Sequence, residues 1–258
     1  MLPVVKNISP HLELYIYDLK KLCDKSMILL DNNLVQICEG DSDTSLTQAK
    51  SIFLDFLSNK DETTKIGAIA EFFIHLFLRE HGFKQEFLFF NLEERSIKKG
   101  FDGYFSKNDV QYIVESKSGL ESTKNISHQS KIKEAYRDIS LTISGNSKKS
   151  SKGKNNPWKN AYNHACHINV GTNKSIRSNL KKLSDLFDQG TYQDVENFNI
   201  IPCSTIYVDD TDIKGFSSSI LAEQNNYFSM LKAKTVKVVC VTNSTFSAFF
   251  DYLTVSHE

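Results

Sequence analysis

The chain predicts an α/β fold, a mixed central β-sheet of four to six strands flanked by helices. Three observations carry that expectation. Residues 100–119, GFDGYFSKNDVQYIVESKSG, hold two stretches of aromatic and β-branched residues around a polar break. Two later apolar runs, near Asn199–Val208 and Val236–Thr242, are separated by a stretch of helical character. From Ile66 to Leu78 an apolar run is interrupted only by Gly67, Glu71 and His75, one i, i+4 row on an otherwise buried helix.

The elements follow in chain order. Ser9-Pro10 suits the start of a helix running to about Asp24, because proline fits the first helical turn. Asp43 or Ser45 starts another through Leu57, so residues 1–60 are expected as a helical N-terminal segment packed on the core. Residues 61–258 form the main domain. Asp61 or Thr63 caps the long apolar helix, which runs to about Arg79 and can be closed by Gly82. A strand is expected at Phe87–Asn91, then the 100–119 hairpin, then a helix over Ser122–Ile143. Ser144–Asn156 is a polar loop, and Tyr162–Gly190 a helical insertion, together spanning about 144–190. The two apolar strands follow, with helices near Ser217–Lys232 and Ser244–Leu253.

The hairpin gathers chemistry. A turn centred on Lys107-Asn108 pairs Phe105 with Val110 and sets Asp102 opposite Ile113. Side chains alternate with period two, so Ile113, Glu115 and Lys117 share the face of Asp102. Val110, Tyr112, Val114 and Ser116 form the other, more apolar face. Two converging carboxylates are ligands for Mg²⁺, with Mn²⁺ able to substitute. A lysine two residues after Glu115 can orient or deprotonate water and offset negative charge on a phosphate. Such a set suits phosphodiester hydrolysis. Glu71 either completes a polar stripe with Arg79 or projects a third carboxylate toward the same metal.

Charge is segregated although the net charge is zero. No acidic residue lies between Asp138 and Asp185, while Lys148, Lys149, Lys152, Lys154, Lys159, Lys174, Arg177, Lys181 and Lys182 do. A block of this kind attracts phosphate backbones, or serves as a solvated linker where its apolar content is low. Gln129, Lys133 and Arg137 fall on one row of the following helix, giving it a basic face. His164-Ala165-Cys166-His167 lacks the second cluster of a structural zinc site, and Trp158 after Pro157 is expected to anchor a new helix. Five cysteines form no CxxC pair or even framework, which suits a reducing cytoplasm. The longest apolar run is too short and interrupted to span a bilayer, so no membrane role is expected.

A helix bearing Glu71, then Asp102 opening a hairpin, then Glu115-Ser116-Lys117 ending its second strand, resembles the PD-(D/E)xK nuclease superfamily. Phe101 stands where that family usually has proline. The G-x-DG and ESK wording, with the strands at Asn199–Pro202 and Val238–Val241, is similar within it to the HamA nucleases of Hachiman antiphage systems. The resemblance implies a restriction-endonuclease-like core, metal held by Asp102, Glu115 and Glu71, a DNA target and a helicase partner. It also implies a site role for Gln129, since a glutamine often lies near metal and phosphate on the helix after the lysine. A self-contained restriction-type endonuclease and a non-catalytic nucleic-acid or partner-binding subunit are the alternatives.

Overall fold

The structure is a computed structural model that describes residues 3–90, 100–147, 155–209 and 213–254. Its first half runs β1 (Val4–Ser9), β2 (Leu12–Leu19), α1 (Asp24–Cys38), α2 (Leu46–Ser58), α3 (Glu62–Glu80), β3 (Lys84–Gln85), β4 (Gly103–Lys107) and β5 (Val110–Leu120). The second half runs α4 (His128–Ile143), α5 (Pro157–Cys166), α6 (Lys174–Asp188), β6 (Asn199–Tyr207), α7 (Ile213–Tyr227), β7 (Thr235–Asn243) and α8 (Phe246–Thr254).

One seven-stranded mixed sheet, ordered β1-β2-β7-β6-β5-β4-β3, divides the molecule into two helical layers. Its middle, β2-β7-β6-β5, is parallel, and an antiparallel strand pairing closes each side. Leu30 and Leu34 of α1, Phe53 of α2, most of α3 and Phe249 of α8 pack on one face. Ile132 and Ile139 of α4, Trp158 of α5, Leu180 of α6 and Ile220 of α7 pack on the other. Parallel strands covered on both faces read as continuous apolar runs, which is why β6 and β7 stood out in the sequence.

The α/β class holds, with corrections. Seven strands replace the expected four to six, because residues expected as the first helix form the β1–β2 hairpin. Leu12, Leu14 and Ile16 face one core while Tyr17 and Leu19 face the other. That period-two pattern outweighs the Ser9-Pro10 start signal, and Pro10 sits in the turn. The N-terminal segment is therefore a hairpin plus α1 and α2. Helix α1 buries Leu30, Leu34 and Ile37, a helical stripe masked in the sequence by the turn-like Asp31-Asn32-Asn33. The expected strand at Phe87–Asn91 does not form over Phe87–Phe90, and Asn91 lies outside the described residues. Those four residues are buried irregular chain, with the Phe89 amide donating to the Ile37 carbonyl. The helix expected from Ser122 begins at His128, where Ser127 supplies the cap.

Other boundaries follow their local signals. Ser45 caps α2 with a reciprocal Gln48 contact, and the Asp61 carboxylate accepts from the Thr64 amide to start α3. Gly82, at φ +75°, ends α3: its amide donates to the Arg79 carbonyl and that of Phe83 to the Leu78 carbonyl. Pro157 occupies the first turn of α5 behind the Asn156 cap, and buried Trp158 contacts Phe101 and Phe198 at 5.0 and 5.1 Å between ring centroids. The helical insertion is thus α5 and α6. Among the described residues no helix is long and apolar enough to cross a membrane.

Candidate active site

The β4–β5 hairpin is tighter than its sequence suggested. Asn108 and Asp109, both at positive φ (50° and 63°), form a two-residue turn, so Lys107 pairs with Val110 and Gly103 with Val114. The pairing lies two residues from the expected one. A shift of two preserves every face, and it carries Asp102 from the level of Ile113 to that of Glu115. Tyr104 and Ile113 join the core under α4, whereas Phe105, Tyr112 and Val114 join the core under α3.

Strand β4 begins at Gly103, but β5 continues along β6 to Leu120. Where the β4 ladder stops, the Asp102 carboxylate takes its place: Oδ2 accepts from the Ser116 amide at 2.7 Å. Backbone pairing thus fixes Asp102 beside the Glu115-Ser116-Lys117 segment. Glu115 is buried, and its Oε1 accepts from Lys117 Nζ at 2.8 Å. Lys117 Nζ also reaches Asp138 Oδ2 on α4 at 2.9 Å. Burial alone would lower the Lys117 ammonium. The charges of Glu115 and Asp102 and the hydrogen bonds to Glu115 and Asp138 outweigh it, holding the group well above the ordinary lysine range. In this arrangement Lys117 is held as a cation, the form that offsets negative charge on a phosphate.

Glu71 and His75 approach from the opposite layer. Glu71 Oε1 lies 3.6 Å from His75 Nε2, which in turn lies 3.3 Å from the Asp102 carbonyl oxygen. Glu71 thus connects to the site through a buried histidine. Among the described residues no three acidic, histidine or cysteine side chains gather into a metal-holding group, so the expected Glu71–Asp102–Glu115 triad is not assembled. The physical reason is layering: Glu71 lies on the α3 side, with Phe105 and Val114, while Glu115 points to the α4 side. Close approach of helix and hairpin depends on Gly103, where an added Cβ would stand 2.8 Å from Phe105 Cε2 and 3.4 Å from His75 Nε2. Gly67, expected to allow such an approach, has nothing within 4 Å of an added Cβ.

Asp138, the second carboxylate on Lys117, lies off the Gln129–Lys133–Arg137 row. In α4, Gln129 is buried in the first turn, while Lys133 and Arg137 are exposed. Its N-terminus is held down by His128, whose ring nitrogens lie 2.9 Å from Ser204 Oγ and 3.2 Å from Thr242 Oγ1. No spacing in the sequence marks Asp138, because its partner Lys117 lies on another element. Lys148, Lys149, Lys152 and Lys154 lie outside the described residues. In the rest of the basic block Lys159, Lys174, Lys181 and Lys182 are exposed, with Lys181 paired to Asp185. His164 is buried and stacked on Phe87.

No protein-family model matches the chain, and no curated protein matches it either.

The donor set can be judged on its chemistry. Mg²⁺ keeps several waters and is commonly held by one or two carboxylates together with substrate phosphate oxygens. Asp102 and Glu115, hard oxygen donors at the same level of one hairpin, fit that requirement without a third acid. A fixed ammonium beside them fits a phosphate bound at the same place.

Proposed function

We propose that this chain is a Mg²⁺-dependent deoxyribonuclease of the PD-(D/E)xK kind that hydrolyses phosphodiester bonds. The observation that carries this is the meeting of Asp102, Glu115 and Lys117 where β4 leaves β5, with Asp102 pinned by the Ser116 amide. Asp102 and Glu115 would hold the cation, and Mn²⁺ would substitute. Bound there, the cation supplies neutralisation of charge on the phosphate and a more acidic water. Lys117, kept protonated, donates to a phosphate oxygen or to the attacking water and fixes its direction. Asp138 and Glu115 orient that ammonium from two sides. Glu71, through His75, positions the Asp102 backbone.

Exposed Lys133 and Arg137 on α4 extend positive surface from the layer that carries Asp138, and they suit a DNA backbone. The resemblance to HamA adds the setting: a cytoplasmic effector subunit of a prokaryotic antiphage system, working with a helicase. The decisive experiment is cleavage of duplex and single-stranded DNA by the purified chain, alone and with a partner helicase, in Mg²⁺ or Mn²⁺. Cleavage is expected, and Glu115→Ala or Lys117→Ala should each lower it at least about a hundredfold. Cleavage that survives both substitutions removes the assignment. A second reading, nucleic-acid binding without hydrolysis, is favoured by one observation, that Lys117 already holds two carboxylates. Salt-dependent DNA binding with no cleavage in either metal would select it.

A further inference from the structure

A second cationic site lies at the other end of α3. A cavity of about 190 Å³ is lined by Arg79, Lys84, Gln85, Leu88 and Asn169, among others. It sits where the last turn of α3, the short edge strand β3 and the turn between α5 and α6 converge. Gly40 forms one wall. An added Cβ there would stand 2.4 Å from the Asn169 carbonyl oxygen and 2.9 Å from Leu88 Cδ2, so this approach tolerates no side chain.

Three groups in the cavity have unmet bonding capacity. Arg79 is largely buried, and its Nε donates to Asn33 Oδ1 at 3.2 Å. No carboxylate of the described residues lies within ion-pair distance of it, and burial pulls the guanidinium below its ordinary value against a small opposing pull from Glu80. Lys84 Nζ is about half exposed, donates to the Gly171 carbonyl at 2.6 Å and stands 3.5 Å from Glu86 Oε2. That carboxylate already accepts from Ser106 and Thr172, so it neutralises Lys84 only partly. Gln85 is buried, and its Nε2 donates to the Ile37 and Phe87 carbonyls. Its Oε1 is buried without a hydrogen-bond partner among the described residues. A buried acceptor left unpaired is costly and rare in folded proteins.

We propose that this cavity binds a phosphate monoester. A guanidinium fork and an ammonium from separate elements match the several oxygens of a terminal phosphate. A sugar hydroxyl beside that phosphate supplies the donor that Gln85 Oε1 lacks. A terminal phosphate offers three non-bridging oxygens to the two cations, and a phosphodiester within a strand only two. The shared chemistry has two sources, a free phosphate or mononucleotide and the phosphorylated end of a nucleic-acid strand.

The test is calorimetric titration of the full chain in EDTA with inorganic phosphate, with a 5′-phosphorylated oligonucleotide and with its 5′-hydroxyl counterpart. Because no divalent cation is present, the result does not depend on whether the chain cleaves DNA. Phosphate should bind, and Lys84→Met and Arg79→Lys should each weaken it about tenfold, the loss of one charge-assisted contact. Arg79→Lys keeps the charge at the helix end and is expected to leave the fold intact. Tighter binding of the 5′-phosphorylated strand than of its 5′-hydroxyl counterpart assigns the site to strand ends, and equal binding of the two strands assigns it to free phosphates. The proposal falls if the wild type takes up no phosphate or if Lys124→Met, outside the cavity, weakens binding as much. It falls equally if a peptide's free C-terminal carboxylate binds more tightly than phosphate.

Discussion

Two carboxylates are buried within a few residues of strand β4, and they are compensated in opposite ways. Glu86 is wholly buried, and its oxygens accept from the hydroxyls of Ser106 at 2.7 Å and Thr172 at 2.6 Å, with Lys84 farther off at 3.5 Å. Glu115 is almost as buried but is met by an ammonium, which is shared in turn with Asp138. Neutral hydroxyls from the sheet and the insertion close the first centre around its carboxylate. Charges hold the second together, and in the proposed function they exchange partners when a cation or phosphate binds. The difference separates a carboxylate that joins parts of the fold from one available for chemistry.

Removing each carboxylate is the sharpest way to break that comparison. Glu86→Ala deletes two charge-assisted hydrogen bonds that tie β4 to the turn before α6, and it should cost about 3 kcal/mol in chemical denaturation. Glu115→Ala leaves Lys117 paired with Asp138, so its stability loss should be clearly smaller while DNA cleavage disappears. Equal losses of stability would mean that both carboxylates serve the fold.

Much of this arrangement was legible in the sequence, and the misses have physical reasons. The face shared by Asp102, Glu115 and Lys117 survived an error of two residues in pairing, because a face depends only on parity. The pairing itself depended on whether Asn108 and Asp109 would both adopt positive φ, a choice short polar residues permit without requiring. At the opposite edge of the sheet, proline and serine spoke for a helix and the alternation of Leu12, Leu14 and Ile16 for a strand. Pairing with β7 decided it. Phe87–Phe90 announced burial, which aromatic composition can signal without fixing backbone conformation. Asp138 was invisible because its importance comes from Lys117, a partner 21 positions earlier on another element.

His128 extends the closed kind of centre to a titratable base. Its ring nitrogens meet two hydroxyls, and burial pushes its pKa down to about 3, far below the ordinary 6.5. Below pH 6.5 the unfolded chain takes up a proton at this residue and the folded chain does not, until about pH 3. Stability should therefore fall on acidification through that window, by about 1.4 kcal/mol per pH unit from this residue. Denaturation midpoints measured from pH 7 to pH 4 should show the slope, and His128→Gln should flatten it. An unchanged slope in that variant would place the acid sensitivity in other groups.

The smallest effect tests the open centre. Asp138→Asn keeps the shape and one acceptor for Lys117 but removes a charge at a partly exposed position, so stability should change by less than about 1 kcal/mol. Its consequence should appear in the rate of DNA cleavage. With one carboxylate fewer beside it, the Lys117 ammonium is oriented from one side only. The kcat should then fall about fivefold with KM for DNA little changed. An unchanged kcat would mean that Asp138 only packs α4 against β5, leaving Glu115 alone to orient the lysine.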